Sequence, residues 1–259
     1  MGFSAQWLAL REPADLAARD PALLRAAVHA AGPAPLILDL GCGTGATARA
    51  MGRLLPADTR WRLVDKDAEL LRIAAAEIGE GAETIRADLA DVAALPMDGV
   101  SLVTASALLD LVSASWVEAL VQRLNVPLYA ALSYDGQMRW APDNLHDKAI
   151  TTAFNRHQLA DKGFGPALGP TSGPVATAIL NAFGFSVQQA QSPWLLGPEM
   201  TDLHRELIEG IAQAALEAGE DCAADWAQLR RSQADRTRCH IGHTDLFAMP
   251  MAKGDQNAS

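Results

Sequence analysis

The stretch "LILDLGCGTGATARAM", residues 36–51, constrains what this chain can fold into more than any other. A continuous apolar run at 36–40 leads into glycines at 41, 43 and 45, and a helical pattern follows over 44–55. A strand that turns sharply into a helix through glycines is the opening unit of a doubly wound α/β sheet, whose ligands bind at the carboxyl edge where strand order reverses. Glycine suits such a turn because a Cβ would intrude on the tight backbone or on an approaching ligand. One residue in the stretch asks for an explanation of its own. Asp39 stands two positions before the first glycine, inside an otherwise apolar strand.

The alternation continues downstream. Strand patterns at 60–64, 83–86, 100–105 and 128–133 alternate with helical patterns at 67–78 and around Trp116, Val117, Leu120, Val121 and Leu124. This predicts parallel strands joined by right-handed crossovers. Upstream, Trp7, Leu8, Leu16, Leu23, Leu24 and Val28 recur at helical spacing but are interrupted by Pro13 and Pro21, which predicts two or three short helices in an N-terminal cap over 1–32. After Trp140 the periodicity fades into a segment rich in Pro, Gly and polar residues, 141–174, of a length that usually signals a lid or a binding loop. A helix at 175–183, a strand at 185–191, a helix with Met200, Leu203, Leu207 and Ile211 on one face, a helix near Trp226 and a last strand at 241–249 complete the chain. The expectation is a single domain over 1–252 with a disordered tail, 253–259.

Two ligand classes compete for the glycine turn. Residues 41–46 also satisfy GxGxxA, the dinucleotide fingerprint, so the glycines alone do not decide. Asp39 separates the two: a carboxylate repels a pyrophosphate resting on the turn, whereas the amino group and sulfonium of S-adenosylmethionine are cationic. Asp65, at the end of "WRLVD", can accept hydrogen bonds from ribose hydroxyls in either case. Asp88, in "RADLAD", is placed to accept from an exocyclic adenine amine, with the Leu89 N–H meeting a ring nitrogen.

With DxGxGxG at 39–45, the acid at Asp65 and Asp88 after the third strand, about the central half of the chain resembles the class I S-adenosylmethionine-dependent methyltransferases in their motifs I, II and III. The resemblance implies a seven-stranded, mostly parallel Rossmann-like sheet of order 3-2-1-4-5-7-6, with an antiparallel seventh strand supplied by 241–249. It implies S-adenosylmethionine as cofactor, held by Asp39, Gly41, Cys42, Gly43, Gly45, Asp65, Lys66, Asp88, Leu89 and Ser106, with the N-terminal helices closing over the donor. Where relatives that methylate amides or exocyclic amines carry a (D/N)PP(Y/F) loop after strand four, this chain reads "VTASALLDLVS". That departure resembles small-molecule methyltransferases and implies Ser106, Ala107 and Asp110 near the donor. Rival readings are an NAD(P)-dependent oxidoreductase and a non-catalytic donor-binding protein.

The acceptor side carries fewer signals. The insertion offers His157, among Asn155, Arg156, Gln158, Asp161 and Lys162, as a general base near neutrality, and Gly163, Gly165 and Gly169 as sources of mobility. Taken singly, each of these residues also fits a solvated helix and a flexible loop. Asp110 is the other candidate acid or base, and it equally fits a cap for the helix beginning near Ser113. Arg11 and Arg19 are candidates for meeting a carboxylate of donor or acceptor; the plain alternative is an Asp15–Arg19 pair one turn apart. His240 and His243 point to opposite faces of a strand, so no metal site is expected there with Cys239. Trp140, Trp194 and Trp226 read as core or pocket wall.

Composition bounds the rest. A net charge of -10, with Lys and Arg scattered, opposes attraction to nucleic acid. Three cysteines without CxxC spacing suit a reducing compartment. No window is apolar enough to cross a membrane, and the N-terminus lacks the pattern of a secretory signal, so a cytoplasmic monomer or homodimer acting on a small molecule is expected.

Overall fold

The computed structural model describes residues 3–252; the expected disordered tail lies outside the described residues. The Ser4 hydroxyl accepts from the Trp7 N–H and starts α1 (Ala5–Ala18). The break expected at Pro13 does not occur. Arg11 and Asp15 form a two-pronged pair across the proline, at 2.9 and 3.0 Å, and support the turn where the ring removes a backbone bond. Asp20 caps α2 (Pro21–Ala31), with Pro21 in the first helical position.

Next come β1 (Leu36–Leu40), α3 (Ala46–Gly52), β2 (Arg60–Asp65), α4 (Ala68–Ile78), β3 (Ala82–Arg86), β4 (Leu102–Ser106), α5 (Ala114–Arg123) and β5 (Leu128–Ala141). The remainder is α6 (Asp147–Gln158), α7 (Ser172–Ala182), β6 (Phe185–Gln191), β7 (Trp194–Leu196), α8 (Thr201–Glu217), α9 (Ala223–Ser232) and β8 (Arg238–Pro250).

The sheet runs β3-β2-β1-β4-β5-β8-β6, with β1 to β5 parallel and β8 antiparallel to both neighbours. This is the expected order with β8 as the seventh strand, but the sheet has eight strands because the short β7 pairs with Cys239, His240 and Ile241 at the start of β8. Central β1 is buried at every position, as a parallel strand covered by helices on both sides must be. Leu38, Val103, Leu120 and Leu246 fill one face, and Ile37, Met51, Leu63 and Phe247 fill the other. Each such side chain contributes about 1.5–3 kcal/mol on burial.

β5 continues past the expected end at 133 and pairs with β8 as far as Ala141 and Arg238, with register shifts at 130–133 and 134–138. Bulges of this kind bend a strand and re-aim its side chains next to functional sites. The β5–β8 arm carries a second core of Trp140, Trp194, Ile208, Trp226 and Ile241. The insertion, whose periodicity is weak in sequence, contributes α6 to that core through Ile150 and Ala153. No helix among the described residues is long and apolar enough to cross a membrane.

Candidate functional site

The glycine turn crosses the crest of the sheet between β1 and α3. Gly41 and Cys42 both donate to the Val64 carbonyl, at 2.9 and 3.1 Å, and Gly45 donates back to Cys42 at 2.9 Å. Two glycines are required by more than the turn itself. Gly43 has φ 53° and a Cβ there would lie 3.1 Å from Leu8 Cδ1 of α1, while Gly45 has φ 85° and would press on Ala74 Cβ at 3.3 Å. Asp65, at the end of β2, ties the turn down: one carboxylate oxygen accepts from the Gly43 N–H and the other from the Asp67 N–H, both at 3.0 Å. Each oxygen retains a second lone pair for a ligand.

Asp39 lies beneath this turn and is 1 % exposed. Its Oδ1 accepts from the Thr104 hydroxyl at 2.8 Å, and its Oδ2 has no partner among the described residues. Burial pushes its pKa up to about 7, against the opposing pull of Thr104 and of the Arg19 guanidinium. The same burial, reinforced by Asp39 and Asp65, raises the Cys42 thiol well above its usual range and leaves it inert. Arg19 is buried, donates through Nη2 to Ser106 Oγ at 2.9 Å, and leaves Nη1 without a partner among the described residues. It does not pair with Asp15, which Arg11 and the Trp194 indole N–H occupy instead.

Other expected cofactor residues lie along the same edge. Asp88 is exposed and accepts from the Ala90 N–H at 3.0 Å. Leu89 is buried against Gly41, and its carbonyl accepts from the Trp116 indole at 2.6 Å. Lys66 is exposed, with its carbonyl accepting from Arg86. The crest therefore collects Asp39, the turn, Asp65, Asp88 and Ser106 on successive strand ends.

Helix α1 lies directly on the turn. Besides Leu8 on Gly43, Glu12 holds Arg49 at 2.5 and 2.7 Å, and Arg49 donates onward to the Thr44 carbonyl and hydroxyl. A cavity of about 50 Å³, walled by Arg19, Ala46 and Arg49 among others, lies between α1 and α3. A surface depression of about 380 Å³ on α6, next to Glu220, involves none of the crest residues.

The two titratable candidates of the acceptor side part company. Asp110 is not a helix cap, since Ser113 caps α5 by accepting from the Trp116 N–H at 3.2 Å. Its Oδ1 is buried without a partner among the described residues. Burial raises its pKa to about 6, with the Arg11 guanidinium and the Tyr134 N–H acting the other way. His157 is not brought to the crest. Its Nε2 lies 3.0 Å from a Glu217 carboxylate on α8 and its Nδ1 3.4 Å from the Lys162 ammonium, because α6 packs its apolar side inward and turns this ring toward α8.

The loop that follows is ordered by Asp161, which accepts from the N–H groups of Gly163, Phe164 and Gly165, so two of the glycines expected to give mobility shape a bonded turn. Trp140 and Trp226 pack edge to face at 5.4 Å under the Arg230 guanidinium and belong to the core. Among the described residues no three His, Cys, Asp or Glu side chains are grouped to hold a metal ion.

Sequence reasoning missed Asp245 on β8. Fully buried, it accepts from the Asp20 N–H, the Tyr129 hydroxyl and the Leu132 N–H at 2.8–3.0 Å, fixing both α2 and the bulge of β5. The signal was an acid inside the apolar run of the last strand.

A family model for a methyltransferase domain matches residues 37–127, the half of the sheet that carries the turn and the three acids. Residues 37–127 are thus similar to a methyltransferase domain. A provisionally named methyltransferase from Bacillus halodurans C-125 superposes with a TM-score of 0.56 at 16% identity, covering 92% of this chain and 99% of its own. A cyclopropane-fatty-acyl-phospholipid synthase-like protein from Lactobacillus casei ATCC 334 does so at 0.59 and 14% identity, covering 97% and 95%. At these identities the likeness is one of fold. No match was found among curated protein sequences. The strands beyond residue 127, the β5–β8 arm and α6 lie outside the matched segment.

Proposed function

We propose that the protein transfers the methyl group of S-adenosylmethionine to an oxygen or nitrogen atom of a small-molecule metabolite. The observation that carries the donor side of this reading is Asp39: a buried carboxyl with one unengaged oxygen, beside a turn whose glycines leave room for backbone approach. An isolated buried carboxylate is costly, and a cationic ligand is what holds it ionised. A pyrophosphate has the opposite effect, which disfavours the dinucleotide reading. Asp39 is assigned to the donor's cationic amino-acid portion, Asp65 to the ribose hydroxyls, and Asp88 with the Leu89 N–H to the adenine. Cys42 and Lys66 flank the nucleoside, and Arg19, with its unengaged Nη1 beside Ser106, suits the donor carboxylate.

S-adenosylmethionine, when bound, supplies an electrophilic methyl carbon, so the chain's own residues have to align the acceptor, exclude water and take a proton. Asp110 is better placed for the last task than His157, which is engaged on the outer side of α6. The three free cysteines accord with a cytoplasmic setting. Calorimetry with S-adenosylhomocysteine and with NAD tests the reading: the first is expected to bind and the second not, and the reverse result would return the chain to the oxidoreductase alternative.

A further inference from the structure

One buried carboxylate, Asp245, reaches both ends of the Arg19–Ser106 hydrogen bond at the crest. It lies on β8 as the single residue opposite Ala131 and Leu132, since the pairing passes from Ala130 with Leu246 to Ser133 with Thr244. An extra residue of this kind leaves backbone groups outside the ladder. Asp245 Oδ1 takes up one of them by accepting from the Leu132 N–H at 2.8 Å, and Leu132 is held at φ 57°. A non-glycine residue keeps such a conformation only where its surroundings fix it. The neighbouring Ala131 pairs with Ser106 of β4, and its carbonyl accepts from the Ala107 N–H at 2.9 Å, where Ala107 itself has φ 50°. The Ser106 end of the bond thus rests on backbone that Asp245 braces.

The other end is tied down by Oδ2, which accepts from the Asp20 N–H at 2.9 Å. That N–H belongs to the peptide joining Asp20 to Arg19, so the bond fixes the plane from which the Arg19 side chain departs between α1 and α2. The guanidinium then donates to Ser106 Oγ at 2.9 Å and borders, with Ala46 just past the glycine turn, the cavity between α1 and α3. The Tyr129 hydroxyl donates to the same Oδ2 at 3.0 Å, and the Arg19 charge opposes the rise in its pKa that burial and Asp245 cause. Asp245, Tyr129 and Arg19 are all buried, where hydrogen bonds act in a low dielectric.

We propose that Asp245 is a positioning residue for the donor site, holding the Arg19 guanidinium where it meets the carboxylate of the donor's amino-acid portion. The proposal rests on the methyl-transfer reading above and adds to it a residue of β8, outside the matched segment 37–127. Charge supports the choice. The amino-acid portion of S-adenosylmethionine carries an ammonium and a carboxylate, and Asp39 and Arg19 offer the opposite signs, near enough for the Arg19 charge to be felt at Asp39. A guanidinium left to swing on its long stem has to be ordered again each time a ligand binds.

Calorimetry on the full chain separates positioning from packing, with S-adenosylhomocysteine and methylthioadenosine as probes. The second keeps the nucleoside and the thioether but lacks the amino-acid portion, so a change that acts through Arg19 leaves its affinity alone. In Asp245→Asn, either the Asp20 or the Leu132 N–H faces an amide N–H₂ in place of an acceptor. This variant and Arg19→Gln are each expected to weaken S-adenosylhomocysteine by about five-fold or more and to leave methylthioadenosine unchanged. The double variant is expected to be no weaker than Arg19→Gln alone. Tyr129→Phe removes a single donor, is expected to give a selective loss of about two- to three-fold, and carries the test if Asp245→Asn fails to fold. Equal weakening of both probes by Asp245→Asn or Tyr129→Phe, unchanged S-adenosylhomocysteine affinity, or losses that multiply in the double variant overturn the assignment. Failure of the unmodified chain to bind S-adenosylhomocysteine would instead count against the donor reading.

Discussion

Replacing Asp39 by asparagine separates what this residue does for the fold from what it does for the ligand. The folded carboxyl holds its proton up to about pH 7, whereas an unfolded aspartate releases it near 3.8. The folded state therefore binds more protons across that window, and its stability falls as pH rises through it. The difference corresponds to roughly 4 kcal/mol of strain on the ionised form at pH 8.

In the Asp39→Asn variant the side chain carries no charge and keeps the acceptor for Thr104, but its amide N–H₂ takes the place of the unengaged Oδ2 at a cost of about 1–3 kcal/mol. At pH 8 the variant is thus expected to be about 1–3 kcal/mol more stable than the parent, an advantage that disappears by pH 5, where the parent carboxyl is largely protonated as well. Urea unfolding at the two pH values reads this directly. The same variant is expected to bind S-adenosylhomocysteine about ten-fold or more weakly at pH 8, because a charge-assisted hydrogen bond is lost. Parallel stability curves for the two proteins, or unchanged affinity, would refute the reasoning.

Other perturbations act on the turn and its cover. Gly43→Ala places a methyl 3.1 Å from Leu8 Cδ1 at φ 53° and is expected to cost about 1–2 kcal/mol in thermal unfolding and to weaken donor binding; a neutral outcome would show that α1 does not rest on the turn. Asp65→Ala removes the acceptor of two backbone N–H groups and of the ribose, so calorimetry should show at least about a ten-fold loss of S-adenosylhomocysteine affinity, and full affinity in a folded variant contradicts the assignment. Glu12→Gln loosens a half-buried pair with Arg49 worth about 0.5–1 kcal/mol, which should make opening of α1 about two- to five-fold more frequent in hydrogen exchange; unchanged protection would mean that the pair holds nothing.

The parts of the fold read most directly from sequence are those where one local rule dominates. β1, the turn and β2 follow from an apolar run, glycines with positive φ and an acid at a strand end, and β6 matches its expected span because its flanking glycine and serine punctuate it clearly. The longer β5 was hidden because Asp135, Gly136, Gln137 and Arg139 break the apolar pattern where the strand leaves the covered sheet and pairs only with β8. β7 has three residues and exists through its partner.

For the site, position was legible and electrostatics was not. Asp39 stands where the motif puts it, but its raised pKa comes from layers packed by distant segments. His157 is a sensible base by residue type, yet its ring is engaged by Glu217, sixty residues away in sequence. The place of Asp245 opposite Ala131 and Leu132 depends on an antiparallel register that no local pattern encodes.

The central claim is that the acid-lined crest of this sheet receives S-adenosylmethionine. A crystal structure of the protein with S-adenosylhomocysteine measures it most directly. The account predicts the ligand's amino group within hydrogen-bond distance of Asp39 Oδ2 and its ribose on Asp65; the ligand bound elsewhere, or Asp39 Oδ2 still unengaged beneath it, would contradict the account.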